Sequence, residues 1–126
     1  MSKKVFVNFS NHPSDLWGEK QKSAALSYAD EIADIPFPGV DPEYGPDEIA
    51  ELGEQYLSRI LSLPAAAVMC QGEFSLSYYV VNELKKRGVV CVAACSRRNV
   101  QERILEDGRT QKEAAFEFVR FREYTG

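Results

Sequence analysis

The side chains best suited to chemistry fall in three short segments, each at the end of a stretch typical of a β-strand. The first contains the only histidine of the chain, the second a carboxylate beside a glycine, and the third two adjacent arginines. An imidazole and a carboxylate can transfer protons, and guanidinium groups bind phosphate. The set therefore predicts anion binding with acid–base chemistry. The catalytic candidates are His12 and Glu73, and the ligand-binding candidates are Asn8, Ser10, Asn11, Gln71, Gly72, Ser75, Ser96, Arg97 and Arg98.

Alternating strand and helix patterns surround these segments. Short apolar or β-branched runs predict strands at residues 4–9, 32–37, 65–70 and 89–94, and helical spacing predicts helices at 18–29, 45–63 and 75–87. This order predicts one Rossmann-like α/β domain over residues 1–126, with three layers and a mostly parallel sheet. We expect the strand order 2-1-3-4, with a C-terminal β-hairpin or edge strand around Asp107-Gly108.

The carboxyl ends of parallel strands bind ligands where the strand order reverses, here between the first and third strands. This rule brings residues 8–15 and 71–75 together, with residues 96–99 expected as a flanking loop. The amino end of the third helix offers free amide groups to a phosphate. Gly72 would let a ligand approach the backbone.

Composition removes several classes of function. The net charge of −4 argues against binding duplex DNA. The longest apolar stretches are too short to span a membrane, and the N-terminus lacks a signal-peptide pattern. Three cysteines in apolar runs indicate buried free thiols and a cytoplasmic location. Dinucleotide and P-loop motifs are missing, as is a metal-ligand pattern, so we predict no cofactor and no metal.

The segment from Phe116 to Tyr124 is unusually aromatic for the end of a chain. Strict alternation along a strand would place Phe116 and Phe118 on one face and Phe121 on the other. An edge strand so rich in phenylalanine needs a cover. We therefore expect a homodimer.

Two segments carry a resemblance to a known family. The first strand followed by Asn8-Phe9-Ser10-Asn11-His12-Pro13, and the turn Gly72-Glu73-Phe74-Ser75-Leu76 leading into a helix, resemble small CRISPR-associated Rossmann-fold proteins. That group includes sensors of cyclic oligoadenylate and stand-alone ring nucleases that degrade it. The resemblance implies a dimer that binds the ring across its two-fold axis, at the first loop and the third helix. It further implies metal-independent cleavage by a ribose 2′-hydroxyl in an antiviral signalling pathway.

Two other functions fit the same residues. The chain is also similar in size and type to nucleoside deoxyribosyltransferases, in which a carboxylate acts as nucleophile and Glu73 would be the candidate. Alternatively, the polar loops are solvated and the aromatic tail binds a protein partner, which would make the chain a non-enzymatic interaction module.

Overall fold

The computed structural model describes residues 3–126, which contain five strands and three α-helices. A short 3-10 helix, Ser14–Leu16, precedes the first α-helix. The strands are β1 Val5–Ser10, β2 Glu31–Pro36, β3 Ala65–Cys70, β4 Val90–Ile104 and β5 Thr110–Glu123; the helices are α1 Glu19–Leu26, α2 Pro46–Leu61 and α3 Phe74–Lys86. One sheet has the order β2-β1-β3-β4-β5, parallel except for the antiparallel pair β4–β5. The predicted Rossmann-like α/β fold with a C-terminal hairpin is confirmed.

Strand β1 is the centre of the molecule, because all six of its residues are buried. Its alternating side chains enter two different cores. Val5, Val7 and Phe9 pack with residues of α2 and α3, whereas Phe6 packs with Trp17 and α1 on the other face. A parallel strand covered by helices on both sides accounts for this nearly continuous apolar run.

The helix starts follow the local sequence. Gly18 precedes α1 in an extended conformation, and no side chain caps that helix. Pro46 is the first residue of α2, where its missing N–H group costs no hydrogen bond, and Asp47 and Glu48 follow in the first turn. These features fix where each helix returns the chain to the sheet.

Strand β4 is much longer than predicted. It pairs with β3 only from Val90 to Val92, and beyond that point it pairs with β5 alone. The expected loop at residues 96–99 is wrong: Ser96, Arg97 and Arg98 lie within β4. Residues 96–118, the two-stranded ribbon and its turn, are called the arm below.

A β-bulge at the base of the arm changes which side chains share a face. Cys95 pairs with Arg120 and Ser96 pairs with Phe118, so Val119 is an extra residue on β5. The predicted separation of Phe118 from Phe121 is therefore wrong. Their rings lie 4.9 Å apart in the core on the α1 face.

All three cysteines are free, and Cys70 and Cys91 are buried as predicted, whereas the prediction of a buried Cys95 is wrong because that residue is half-buried. Burial raises the pKa of the Cys70 thiol to about 12 and that of Cys91 to about 11. Among residues 3–126, no helix is long and apolar enough to cross a membrane.

Candidate functional site

The loop after β1 is built around the main chain of His12. The Asn8 amide donates to the His12 carbonyl at 2.8 Å, and the Trp17 indole N–H donates to the same oxygen at 3.2 Å. The His12 amide donates to Ser10 Oγ at 3.2 Å. Three side chains therefore hold one peptide segment, while the side chain of His12 remains exposed beside the exposed Asn11.

Asp34 of β2 completes this network. Asn8 Nδ2 donates to Asp34 Oδ1 at 3.0 Å, and the Ser14 amide donates to Asp34 Oδ2 at 3.1 Å. Ser10 Oγ donates to Asn8 Oδ1 at 2.6 Å. Asn8 is only 1% exposed, and an amide buried to that degree destabilises a fold unless its hydrogen bonds are made. Asn8 and Ser10 thus support the loop from inside rather than lining its surface.

Gln71 joins the end of β3 to its two neighbours. Its amide donates to the Phe9 carbonyl of β1 at 3.1 Å, and its side-chain Oε1 accepts a short hydrogen bond from the Ala94 amide of β4. The side chain thereby continues the β3–β4 pairing past the last paired residue, Val92. Gln71 fixes where β4 leaves the sheet.

Glu73 is the N-cap residue of α3. Its carboxylate accepts hydrogen bonds from the Ser75 hydroxyl, from the Ser75 amide at 3.0 Å and from the Leu76 amide at 2.8 Å. The Ser75 hydroxyl, followed by the amides of Leu76 and Ser75, lowers the pKa of the Glu73 carboxyl. A carboxylate held ionised is a poor general acid. It also occupies the helix end that a phosphate was expected to use.

Gly72 is required by packing inside the protein. A Cβ atom at this position would lie 2.5 Å from ring carbons of Phe37, which is buried and stacks on Phe9 at 4.6 Å between ring centroids. The aromatic ring, and not a ligand, therefore accounts for the glycine.

The two arginines of the arm point to opposite faces. Arg97 pairs in register with Glu117, and Arg98 pairs with Phe116, on the face that continues to Phe118 and the α1 side. Arg98 therefore lies on the α1 side of the arm, the side on which Trp17 of the His12 loop packs. In the described part of the chain neither arginine forms a salt bridge, so both cations are open to an anionic ligand.

Sequence reasoning missed Asp34, Trp17 and Phe37. The available signal for Asp34 was that it is the single acidic residue within the second strand run. In the structure it is the register partner of Asn8. Trp17 is buried in the core, and its hydrogen bond to the His12 carbonyl has no sequence signature. Among residues 3–126, no group of three His, Cys, Asp or Glu side chains could hold a metal ion.

A groove in the described part of the chain lies away from this loop. It runs along α3 with a volume of about 820 Å³, and its floor includes Cys91 and Tyr124 near the start of β4 and the end of β5. In longer doubly wound folds a further helix covers this part of the sheet.

All the candidate residues lie within the part of the chain that matches a family model. The model describes the uncharacterized protein MJ1673 family and matches residues 4–122. The chain belongs to this family. Comparisons with the curated proteins and with solved structures give no match.

Proposed function

We propose that the protein binds a cyclic oligoadenylate at the carboxyl edge of its sheet and cleaves it without a metal ion. One observation carries this proposal. Buried Asn8 and Ser10, with Trp17, fix the main chain of His12, the one histidine in the chain, while leaving its imidazole exposed. Preorganising an exposed acid–base group in this way favours catalysis over a loop that merely connects two elements.

The reaction fits the groups at this edge. The 2′-hydroxyl oxygen of one ribose attacks the adjacent phosphorus, the bond from phosphorus to the 5′-oxygen breaks, and a 2′,3′-cyclic phosphate and a 5′-hydroxyl result. Neutral His12 takes the proton of the 2′-hydroxyl, and the imidazolium returns a proton to the departing 5′-oxygen. No other reactant is needed. The ring opens without net consumption of water or acid.

Arg98 is the residue we assign to the phosphate. It lies in the arm on the α1 side, where Trp17 of the His12 loop packs, and it has no acidic partner in the described chain. A guanidinium can donate two hydrogen bonds to the non-bridging oxygens and stabilise the charge of the transition state. Arg97, on the α3 face, would contact the next phosphate of the ring.

Glu73 has no chemical step in this proposal. Its carboxylate is occupied by Ser75 and Leu76, which also weakens the deoxyribosyltransferase alternative that needs it as a nucleophile. The resemblance of the first loop and the third helix start to CRISPR-associated Rossmann-fold proteins supports cyclic oligoadenylate as the ligand and the cytoplasm as the place of action.

Incubation with cyclic tri-, tetra- and hexa-adenylate in the presence of EDTA, followed by mass spectrometry, tests the proposal. We expect one ring size to give linear products that end in a 2′,3′-cyclic phosphate. Arg98→Ala should slow this reaction, whereas Arg109→Ala at the turn of the arm should not. Intact rings that still raise the melting temperature would contradict cleavage, and intact rings with no thermal shift would contradict binding as well.

A further inference from the structure

One face of the arm is apolar and uncovered. Phe116, Ile104 and Val100 are 75%, 84% and 53% exposed. The β4–β5 register places all three on one face, together with Ala114. This face continues into the core on the α1 side through Phe118, which is half-buried there. Glu102 and Lys112 lie between Val100 and Ile104 on this face, and exposed apolar side chains rimmed by charged residues mark an interaction site.

The opposite face of the arm is polar, and several of its side chains pair with one another. Arg103 forms a salt bridge with Glu113 at 3.1 Å, and Asn99 donates a hydrogen bond to Glu117 at 3.0 Å. A ribbon with one polar and one apolar face is suited to solvent on the first and a packed partner on the second. The apolar face is therefore the side that needs a cover.

The charges of the arm identify the partner class. Residues 96–118 contain five basic residues (97, 98, 103, 109 and 112) and five acidic residues (102, 106, 107, 113 and 117), so the arm has no net charge. Duplex nucleic acid or an anionic membrane selects a surface with an excess of basic residues, and the arm as a whole has no such excess. An arm with equal numbers of positive and negative charges suits a partner surface that also carries both signs in equal number, such as a second copy of the chain.

The positions of the charges on the apolar face are self-complementary. Consider two arms packed face to face. The two-fold axis lies between them, runs perpendicular to the strands, and passes at the level of the paired residues Val100 and Ala114. Strand β4 then lies over the partner's β4 in the opposite direction, so positions two residues on either side of the axis oppose each other. Arg98 opposes the partner's Glu102, and Phe116 opposes the partner's Lys112. Both contacts occur twice.

We propose that the protein forms a homodimer through the apolar faces of two antiparallel arms, with Arg98–Glu102 pairs on either side of the axis. Val100, Ile104 and Phe116, which are exposed in one protomer, become buried in the dimer. Phe118 and Phe121 do not contribute, because they pack in the core of each protomer. The three large exposed side chains supply roughly 400 Å² per copy, or about 800 Å² in total, which is less than the roughly 1,200 Å² of a standard stable interface. The dimer is therefore weak, with a Kd of about 10–100 μM.

This interface shares Arg98 with the ligand surface and otherwise lies apart from it. With the axis at Val100, the carboxyl edges of the two sheets lie up to about 40 Å apart along the arms. Each protomer then carries its own ligand site, and a ring held by both sheet edges would require a different contact. The arm proposal can therefore fail without the proposed function failing, and the reverse also holds.

Sedimentation equilibrium of the full chain tests the apolar face. We expect a reversible dimer, and Ile104→Glu should raise its Kd about tenfold or more. The matched control is Gln111→Glu, which adds the same charge to the polar face opposite Arg103; it should leave the Kd unchanged. A wild-type chain that stays monomeric to about 1 mM, or an Ile104→Glu variant that dimerises as well as the control, would overturn the proposal.

A charge swap tests the register of the two arms. Arg98→Glu and Glu102→Arg should each weaken the dimer, because each places like charges across the axis. The double variant restores opposite charges and should dimerise nearly as well as the wild type. A double variant no better than either single variant would overturn the proposed axis. Because Arg98 is also assigned to the ligand, ring cleavage should remain impaired in the double variant while dimerisation recovers.

Discussion

Replacing Asn8 by aspartate removes the hydrogen-bond donor that holds the His12 loop and leaves the size of the side chain almost unchanged. The amide donates to the His12 carbonyl at 2.8 Å and to Asp34 Oδ1 at 3.0 Å. A neutral hydrogen bond contributes about 1 kcal/mol, and one to a carboxylate about 1.5–3 kcal/mol. Asn8→Asp also places a second carboxylate against Asp34. We therefore expect the free energy of unfolding to fall by about 3–4 kcal/mol at neutral pH.

The same variant should show a characteristic pH dependence. The introduced carboxyl is buried beside Asp34, so its pKa in the folded state lies above its unfolded value of about 4. The folded state then binds more protons than the unfolded state between these two values. The destabilisation relative to wild type should be small below the unfolded pKa and should grow as pH rises through the folded pKa.

Urea unfolding at a series of pH values, read by tryptophan fluorescence, measures this difference. The matched control is Asn11→Asp, the same substitution at an exposed position of the same loop, which should change stability by no more than about 0.5 kcal/mol. An Asn8→Asp variant as stable as Asn11→Asp, or one whose destabilisation does not change with pH, would refute the role we give to the Asn8 amide.

Three further predictions concern the residues around this loop. Glu73→Gln weakens the N-cap of α3 and should lower the free energy of unfolding by about 1 kcal/mol at neutral pH. This loss should shrink as pH falls through the lowered pKa of the native carboxyl, and ring cleavage should be nearly unchanged. A loss of turnover at full stability would show that Glu73 is catalytic. Gly72→Ala should cost about 1–3 kcal/mol in urea unfolding because its Cβ would lie 2.5 Å from the Phe37 ring, and an unchanged midpoint would contradict that packing. Iodoacetamide at mildly alkaline pH should label Cys95 before Cys70, whose pKa is about 12, and equal labelling rates by mass spectrometry would show that Cys70 is not protected.

The fold was predictable because its signals are local and agree with one another. The apolar run at Ala65–Cys70 is β3 with no change of bounds, and the alternation of strands and helices dictated the parallel sheet. The arm was not predictable in the same way. Ser96-Arg97-Arg98-Asn99 is locally a turn sequence, and it becomes a strand because β5 pairs with it along its whole length.

The sequence predicted where the candidate residues lie, but only partly whether each contacts a ligand or other groups of the protein. The switch between β1 and β3 placed His12 at the carboxyl edge, where it lies. Asn8 and Glu73 are polar residues at the ends of elements, and from sequence such residues are equally suited to ligands and to internal hydrogen bonds. Asn8 makes internal hydrogen bonds because the strand register places it opposite Asp34. Glu73 does so because α3 begins directly after it. Neither the register nor the helix start could be fixed to one residue from sequence patterns.

The most direct test of the central claim is the rate of ring opening by His12→Gln under single-turnover conditions, with the most reactive cyclic oligoadenylate. The imidazole is exposed, and the neighbouring side chains bind only the main chain of this residue, so the variant should unfold at the wild-type urea midpoint. The proposal predicts a rate about 10²–10⁴-fold lower than wild type. A wild-type rate from a fully folded His12→Gln variant would contradict it.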